Sequence, residues 1–238
     1  MSSMFELLMN LPLFRGASHT RLAQTVGEAK FHFLKYPAGE TIIRAGDPCT
    51  HLTFVISGSV RSTIVNNTGR FAVGQTLTAP AVIAPDFLFG RTTSYPCTVD
   101  ALETTGILKI SKSDYIRILY SDQVYMFNYL NTLSVNAQKS MVGILSLTGG
   151  AIDERIAFWI IALSQPGGTD IRLTCRARDL CSLFGVQRAT FDAALNEMKS
   201  KGLLEYTNKE LLIKDREGLV NLLESGSDTF DDDDTPAE

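Results

Sequence analysis

The chain has 238 residues, 45% of them hydrophobic and 20% charged, enough for two domains of ordinary size and unlike a disordered, collagen-like or disulfide-stapled chain. Its formal net charge of −4 is unevenly placed: residues 1–150 carry +3, residues 151–225 carry −1 and residues 226–238 carry −6. The longest nearly uninterrupted apolar run, Ile156 to Leu163, falls short of the ~20 residues that a membrane-spanning helix needs. The start of the chain has Glu6 inside its apolar stretch and neither a basic leader nor a small-residue cleavage site, so a cytoplasmic protein without a membrane partner is expected.

Cys49, Cys97, Cys175 and Cys181 form no C-x-x-C pair, which argues against a structural zinc or iron-sulfur site and leaves buried, reduced thiols as the simplest reading. His19, His32 and His51 form no H-x-H or H-x-x-x-H group, so no metal is expected. No nucleophile–base pair is present either, and the chain is not expected to be an enzyme.

In chain order, a short helical pattern (Leu7, Leu8, Leu11, then Leu22, Ala23, Val26) is punctuated by Pro12 and Gly16. From Phe31 to Ile110 the pattern changes to short runs rich in Val, Ile, Thr and Phe: Thr41 to Ile43, Leu52 to Ile56, Val60 to Val65, Phe71 to Gly74 and Gly106 to Ile110. Turn residues at Pro37-Ala38-Gly39, Gly46-Asp47-Pro48, Gly58 and Asn66 to Gly69 separate them. Strands at this spacing predict a β-sandwich or small barrel.

Helical periodicity returns after Ser111, and Asp122 to Leu147 reads as one long helix. One heptad phase places Met126, Leu130, Leu133, Ala137, Ser140, Ile144 and Leu147 on a seam; another uses Phe127, Leu130, Ser134, Ala137, Met141 and Ile144. Such a stripe can pack within its own domain, but a single long helix between two domains also has flanks that a second copy would cover, and a homodimer is expected, with Met126, Leu130, Leu133, Ala137 and Ile144 at the interface. Thr148-Gly149-Gly150 offers a hinge. Asp153 to Ser164 is apolar almost all round, as the buried centre of a second domain would be, and Gln165-Pro166-Gly167-Gly168 ends it.

The stretch Arg176 to Lys199 carries the chemistry. Two short helices meet steeply only if the contact residue is small, the turn residue tolerates positive φ and apolar anchors bracket the turn. Cys181 is small, Gly185 follows four residues later, and Leu180, Phe184, Val186, Phe191 and Ala194 are the anchors. Leu203 to Tyr206 and Lys209 to Ile213 then read as a hairpin around Thr207-Asn208. A plain helical hairpin is the alternative, but this combination predicts a winged helix-turn-helix. Its second helix would present Gln187, Arg188 and Thr190 to base edges, with Asp192 near them, while Arg176, Arg178, Lys199 and Lys201 would meet phosphates. The balance from Asp170 to Lys201 is only +2, so non-specific affinity for double-stranded DNA should be modest. The tail from Ser225, with Asp231 to Asp234, reads as a disordered acidic segment, either a solubilising tail or an intramolecular competitor for a basic surface.

In this order and at this length, these segments resemble the CRP/FNR family of bacterial transcription regulators over roughly residues 10–223. Leu11-Pro-Leu-Phe-Arg-Gly is similar to the family's opening motif. Pro37-Ala-Gly-Glu-Thr-Ile-Ile-Arg-Ala-Gly-Asp and Phe54-Val-Ile-Ser-Gly-Ser-Val-Arg resemble its strand and turn motifs, Pro96 to Lys109 its closing strand pair, and Arg155-Ile156-Ala157 the start of its first DNA-domain helix. The resemblance implies an α+β protein: a β-roll of double-stranded β-helix (jelly-roll) type over residues 1–120, a dimerisation helix over 121–148, a winged helix-turn-helix over 149–225 and an acidic tail over 226–238. It also allows RNA polymerase as a partner.

Cyclic-nucleotide-binding members use a Gly-Glu pair for the ribose and an Arg-Ser pair for the phosphate. Here Ala84-Pro85 and Tyr95-Pro96 stand in those places; Asp86 lies one residue out of register and Arg91 four residues early. Arg91, Tyr95 and Ser140 are therefore the candidate effector-pocket residues, no cofactor is expected, cAMP is not the expected effector, and its identity is open. Arg188 and Thr190 match base-reading positions, whereas Ala189 and Ala193 replace a glutamate and an arginine, and Arg176 replaces a hydroxyl N-cap, so the family's common half-site is not expected. The resulting expectation is a homodimeric DNA-binding regulator with a degenerate effector domain. Its rival is a sensor or interaction protein that keeps the fold but no longer reads operators.

Overall fold

The structure, a computed structural model, describes residues 4–145, 150–165 and 167–227. The chain divides into two compact units, one comprising Met1–Gly69, Gly74–Gln138 and Gly167–Thr169, the other Arg70–Val73, Lys139–Pro166 and Asp170–Glu238. The hinge expected at residues 148–149, Leu147 of the heptad seam and the acidic tail from residue 228 onward lie outside the described residues.

The first unit opens with α1 (Met4–Asn10) and α2 (His19–Glu28), the latter capped by Ser18, whose hydroxyl accepts from the Arg21 amide. The strands are β1 (Phe31–Tyr36), β2 (Thr41–Ile43), β3 (His51–Ser57), β4 (Ser59–Val65), β5 (Ala72–Thr78), β6 (Ala81–Ile83), β7 (Thr98–Ala101) and β8 (Thr105–Ser111), with a 3-10 turn at Pro85–Phe87. One sheet runs β1-β8-β3-β6 and the other β5-β4-β7-β2. The predicted strand pair within Pro96–Lys109 needs correction: β7 and β8 do not pair with each other but belong to different sheets, β8 bonded to β1 and β3, β7 to β2 and β4. The unit's core includes Leu52, Phe54, Val55, Val60, Val99, Ile107, Leu108 and Ile110, all essentially inaccessible to solvent; where adjacent residues are both buried, as at Phe54/Val55 and Ile107/Leu108, both faces of the strand are covered. Gly58 makes the tight β3–β4 turn: its φ is +76°, and a Cβ would sit 2.8 Å from the Thr104 carbonyl oxygen, so only glycine fits.

The capped helix α3 (Lys112–Ser121) leads into α4 (Gln123–Leu145), a single helix within the predicted bounds of 122–147. Its first half is fastened to the roll. Tyr125 and Tyr129 are buried in the roll's core, the Tyr129 hydroxyl donates to the Pro85 carbonyl at 3.0 Å, and the Asn136 amide donates to both oxygens of Asp86 at 2.8 and 2.9 Å. Burial of Tyr115 and Tyr129 raises both phenol pKa values, so neither ionises at neutral pH.

The second unit contains α5 (Ile152–Leu163), β9 (Thr169–Thr174), α6 (Ala177–Phe184), α7 (Arg188–Ser200), β10 (Leu204–Tyr206), β11 (Glu210–Ile213) and α8 (Arg216–Ser227). As expected, α5 is central: Ile156, Ala157, Trp159 and Ile160 are buried. Its Trp159 ring meets Phe184 edge-on at 5.6 Å, and Phe184 stacks on Phe191 at 6.2 Å, so an aromatic column runs from α5 through α6 to α7. Gly143 of α4 faces Ala162 of α5 so closely that a Cβ would lie only 2.3 Å from that methyl group. Two elements went unread in the sequence. β9 extends the hairpin to a three-stranded sheet, and α8 follows it with Leu219 fully buried. Both had a signal: alternation in Thr169-Asp-Ile-Arg-Leu-Thr, and an Asp215 cap bonded to the Gly218 amide ahead of Leu219 and Val220.

Candidate nucleic-acid interface

The helix-turn-helix forms as its spacing demands. Gly185 ends α6 in the left-handed region at φ +64°, and its amide reaches back toward Cys181 and Ser182. Cys181 lies under the turn, and Leu180, Phe184, Phe191, Ala194, Leu195 and Met198 form the floor. Arg155 of α5 bonds the Phe184 carbonyl at 2.6 Å, satisfying an orphan carbonyl at the end of α6. The α7 N-cap, Gln187, makes no side-chain cap bond, and the first turn carries no acid, which leaves amide donors and the positive helix end available to an anion.

The outward face of α7 carries Gln187, Arg188, Ala189, Thr190 and Ala193, all exposed. Thus Gln187, Arg188 and Thr190 stand together at the helix start. Arg188 is not a free cation. Its Nε contacts both Asp192 carboxylate oxygens at 2.8 and 2.7 Å, and its Nη2 donates to Asn208 Oδ1 of the β10–β11 turn at 3.0 Å. The hydrogen bond and charge of Asp192 raise the Arg188 pKa further, so the guanidinium stays charged throughout the physiological range.

The expected phosphate contacts are also partly committed. Lys201 pairs with Glu197 at 2.7 Å, Arg176 with Asp179 at 2.8 Å, and Arg178 with the same carboxylate at 3.6 Å. Carboxylates one helical turn away or adjacent in sequence thus neutralise part of the charge of Arg176, Arg178 and Lys201. Lys199 is exposed and forms no ion pair among the described residues. Arg176 is the α6 N-cap and supplies no side-chain cap bond, in keeping with the missing hydroxyl there.

Of the expected effector-pocket residues, Tyr95 is placed differently from the expectation. Tyr95 is a core residue, 6% exposed, whose hydroxyl donates to the His51 carbonyl at 3.0 Å and lies 3.0 Å from Thr53 Oγ1. That correction has a plain physical cause: a phenol inside the roll must satisfy its hydroxyl locally, and these partners do so. Arg91 is exposed, as is Ser140, which belongs to the second unit. All four cysteines are free and buried, and burial raises their thiol pKa values, Cys175 to about 11, so none is poised as a nucleophile.

On α4 the structure separates the two heptad phases. Phe127, Leu130, Met141 and Ile144 are 61%, 48%, 66% and 67% exposed, and Ser134 and Ala137 are exposed between them. Leu133 instead packs on the roll's core, and Met126 is half-buried. Leu133 therefore lies off the open stripe, because the roll already covers it, whereas Leu130, Ala137 and Ile144 remain on it and Met126 lines a surface hollow beside Phe127 and Leu130. Among the described residues no helix is long and apolar enough to cross a membrane.

Comparison with known proteins agrees with this geometry. The family model for the cyclic nucleotide-binding domain matches residues 33–122, and that for the Crp-like helix-turn-helix domain matches residues 154–222. The chain is 24% identical over 228 residues to the CRP-like cAMP-activated global transcriptional regulator of Mycobacterium tuberculosis, covering 91% of this chain and 98% of that protein. It is 27% identical over 196 residues to the transcriptional activator protein FnrA of Stutzerimonas stutzeri, covering 77% of each. Among solved structures, the catabolite activator protein of Thermus thermophilus shares the fold with a TM-score of 0.50 at 20% identity, covering 90% of this chain and 99% of that one. A roll of the cyclic nucleotide-binding type, a long helix and a Crp-like helix-turn-helix define a class of DNA-binding transcription regulators. The chain belongs to the CRP/FNR family of that class.

Proposed function

We propose that this regulator binds its operator as a homodimer, with α7 in the major groove and Arg188 reading one guanine in each half-site. The observation that carries the reading is the outward face at the α7 N-terminus, where Arg188 is the one exposed arginine, flanked by Gln187 and Thr190 and by two alanines too short to read bases. Arg176, Arg178, Lys199 and Lys201 contact phosphates, and pairing within the protein reduces the charge they offer, so specificity exceeds bulk affinity in importance. In this reading the protein acts in the bacterial cytoplasm, with RNA polymerase as the machinery it acts on.

The roll, in this reading, does not bind cyclic nucleotides. Tyr95 occupies the place of a phosphate-neutralising arginine and is tied inside the core, while the nearest carboxylate, Asp86, is held by Asn136. No cofactor is assigned and the effector is unidentified. If a second ligand acts, it does so by shifting the pairing of α4 between copies. The test is selection of an operator from a random duplex pool by the full-length protein, followed by binding of Arg188→Ala. The variant should lose preference at one guanine per half-site by about tenfold, the lower part of the range for a bidentate contact. An unchanged ratio of operator to scrambled binding would refute the assignment.

A further inference from the structure

We propose that Asp192 and the wing residue Asn208 act together as a positioning clamp that sets the Arg188 guanidinium for end-on recognition of guanine. The inference rests on Arg188 as the base-reading residue and identifies what decides its specificity. A guanidinium carries five N–H groups in one rigid plane. Here the Nε–H is spent on the Asp192 carboxylate and one Nη2–H on Asn208 Oδ1, at 2.7–2.8 and 3.0 Å. These bonds engage Nε and Nη2 and leave both Nη1 N–H groups and the second Nη2 N–H as donors for O6 and N7 of guanine.

Two features separate this from an ordinary surface ion pair. First, the tethers come from different elements: Asp192 lies one turn along α7, and Asn208 is 20 residues from Arg188 in the turn between β10 and β11. A single pair with Asp192 would restrain the position of the charge, whereas two acceptors on different nitrogens, held by different elements, fix the plane of the fork. Lys201, at the end of the same helix, pairs with Glu197 as a point charge and has no second hydrogen-bonded tether among the described residues. Second, Ala189 and Ala193 on the outward face carry no hydrogen-bonding group, so beside Gln187 and Thr190 the orientation of Arg188 decides what charge-bearing readout this face has.

The Asp192 carboxylate has a further consequence. Wherever Arg188 fails to find a guanine, it still presents a negative charge to the groove and to nearby phosphates, which lowers affinity for non-cognate sequences. The clamp thus supplies a penalty against wrong sites as well as alignment for the right one.

The test uses the full-length protein and three duplexes: the selected operator, the same operator with the Arg188-contacted guanine pair replaced by an adenine pair, and a scrambled sequence, each titrated by fluorescence anisotropy. Asp192→Ala should bind the scrambled duplex several-fold tighter and lose about fivefold of the guanine-over-adenine preference. Asp192→Asn keeps an oxygen acceptor for Nε without the charge. It should therefore share the tighter scrambled binding yet retain most of the preference, which a purely electrostatic role would not produce. Asn208→Ala should lower the preference without changing the salt slope. If Asp192→Ala keeps the wild-type preference while Arg188→Ala loses it, the clamp is refuted and the base-reading assignment stands. If Arg188→Ala also keeps the preference, both are overturned.

Discussion

The open stripe on α4 can be tested with a pair of substitutions that the two heptad phases rank in opposite order. Phe127 is 61% exposed in the single chain, so Phe127→Glu should leave the fold intact. Covering the exposed part of a phenylalanine contributes about 1–2 kcal/mol, hence roughly 2–4 kcal/mol for both copies of a dimer. The glutamate also places two like charges at the seam, where incomplete solvation costs several kcal/mol more. Together these terms weaken the dimer by about 5 kcal/mol, more than three orders of magnitude in its dissociation constant. Leu133→Glu should behave differently, because Leu133 packs on the roll core and a charge there lowers the stability of the roll itself. Light scattering coupled to size exclusion, with a thermal melt of each variant, reads both effects. The wild type should be a dimer at micromolar concentration, Phe127→Glu a monomer with an unaltered melt, and Leu133→Glu a protein of lowered melting temperature. A monomeric wild type, or a Phe127→Glu dimer as tight as the wild type, would show that this face does not pair.

Isothermal titration with cAMP and cGMP should give no micromolar binding, because a phosphate entering the roll finds Tyr95 engaged with His51 and Thr53, and losing the charged partner costs roughly three orders of magnitude in affinity. Asp86 supplies a pH-dependent prediction: its side chain is exposed, but partial desolvation raises its pKa above the ordinary 3.8 despite the bond from Asn136, so the folded state holds the proton slightly more tightly than the unfolded one. Its contribution is fully favourable below about pH 3.8 and is lost as pH rises through the raised value, so Asp86→Asn should melt higher than the wild type at pH 7. The difference should be small and shrink on acidification, and a variant less stable at pH 7 would contradict the desolvation argument.

Much of this protein is legible in its sequence because the relevant interactions are local or periodic. Alternation between Leu52 and Val65 with Gly58 at the turn specifies two strands joined by a sharp turn, since only glycine tolerates that turn's φ and the nearby Thr104 carbonyl. Cys181, Gly185 and the anchors from Leu180 to Ala194 specify the helix-turn-helix, since a steep crossing of two helices needs a small contact residue, a left-handed turn and apolar brackets in that order. The likeness to a known family rests on the same short-range features. Tertiary structure decided what depends on residues far apart in sequence. It chose which heptad phase of α4 stays open, because the roll claims Leu133 while leaving Phe127 and Leu130 exposed. It put β7 and β8 into different sheets, a choice made by hydrogen-bond partners some 40 to 80 residues away. It turned Tyr95 from a pocket candidate into a core hydroxyl, because Thr53 and the His51 carbonyl meet it there. It also joined Arg188 to Asn208, a contact no helical period encodes, because the wing's turn returns to the start of α7 only after α7 and the β10–β11 hairpin have packed against each other.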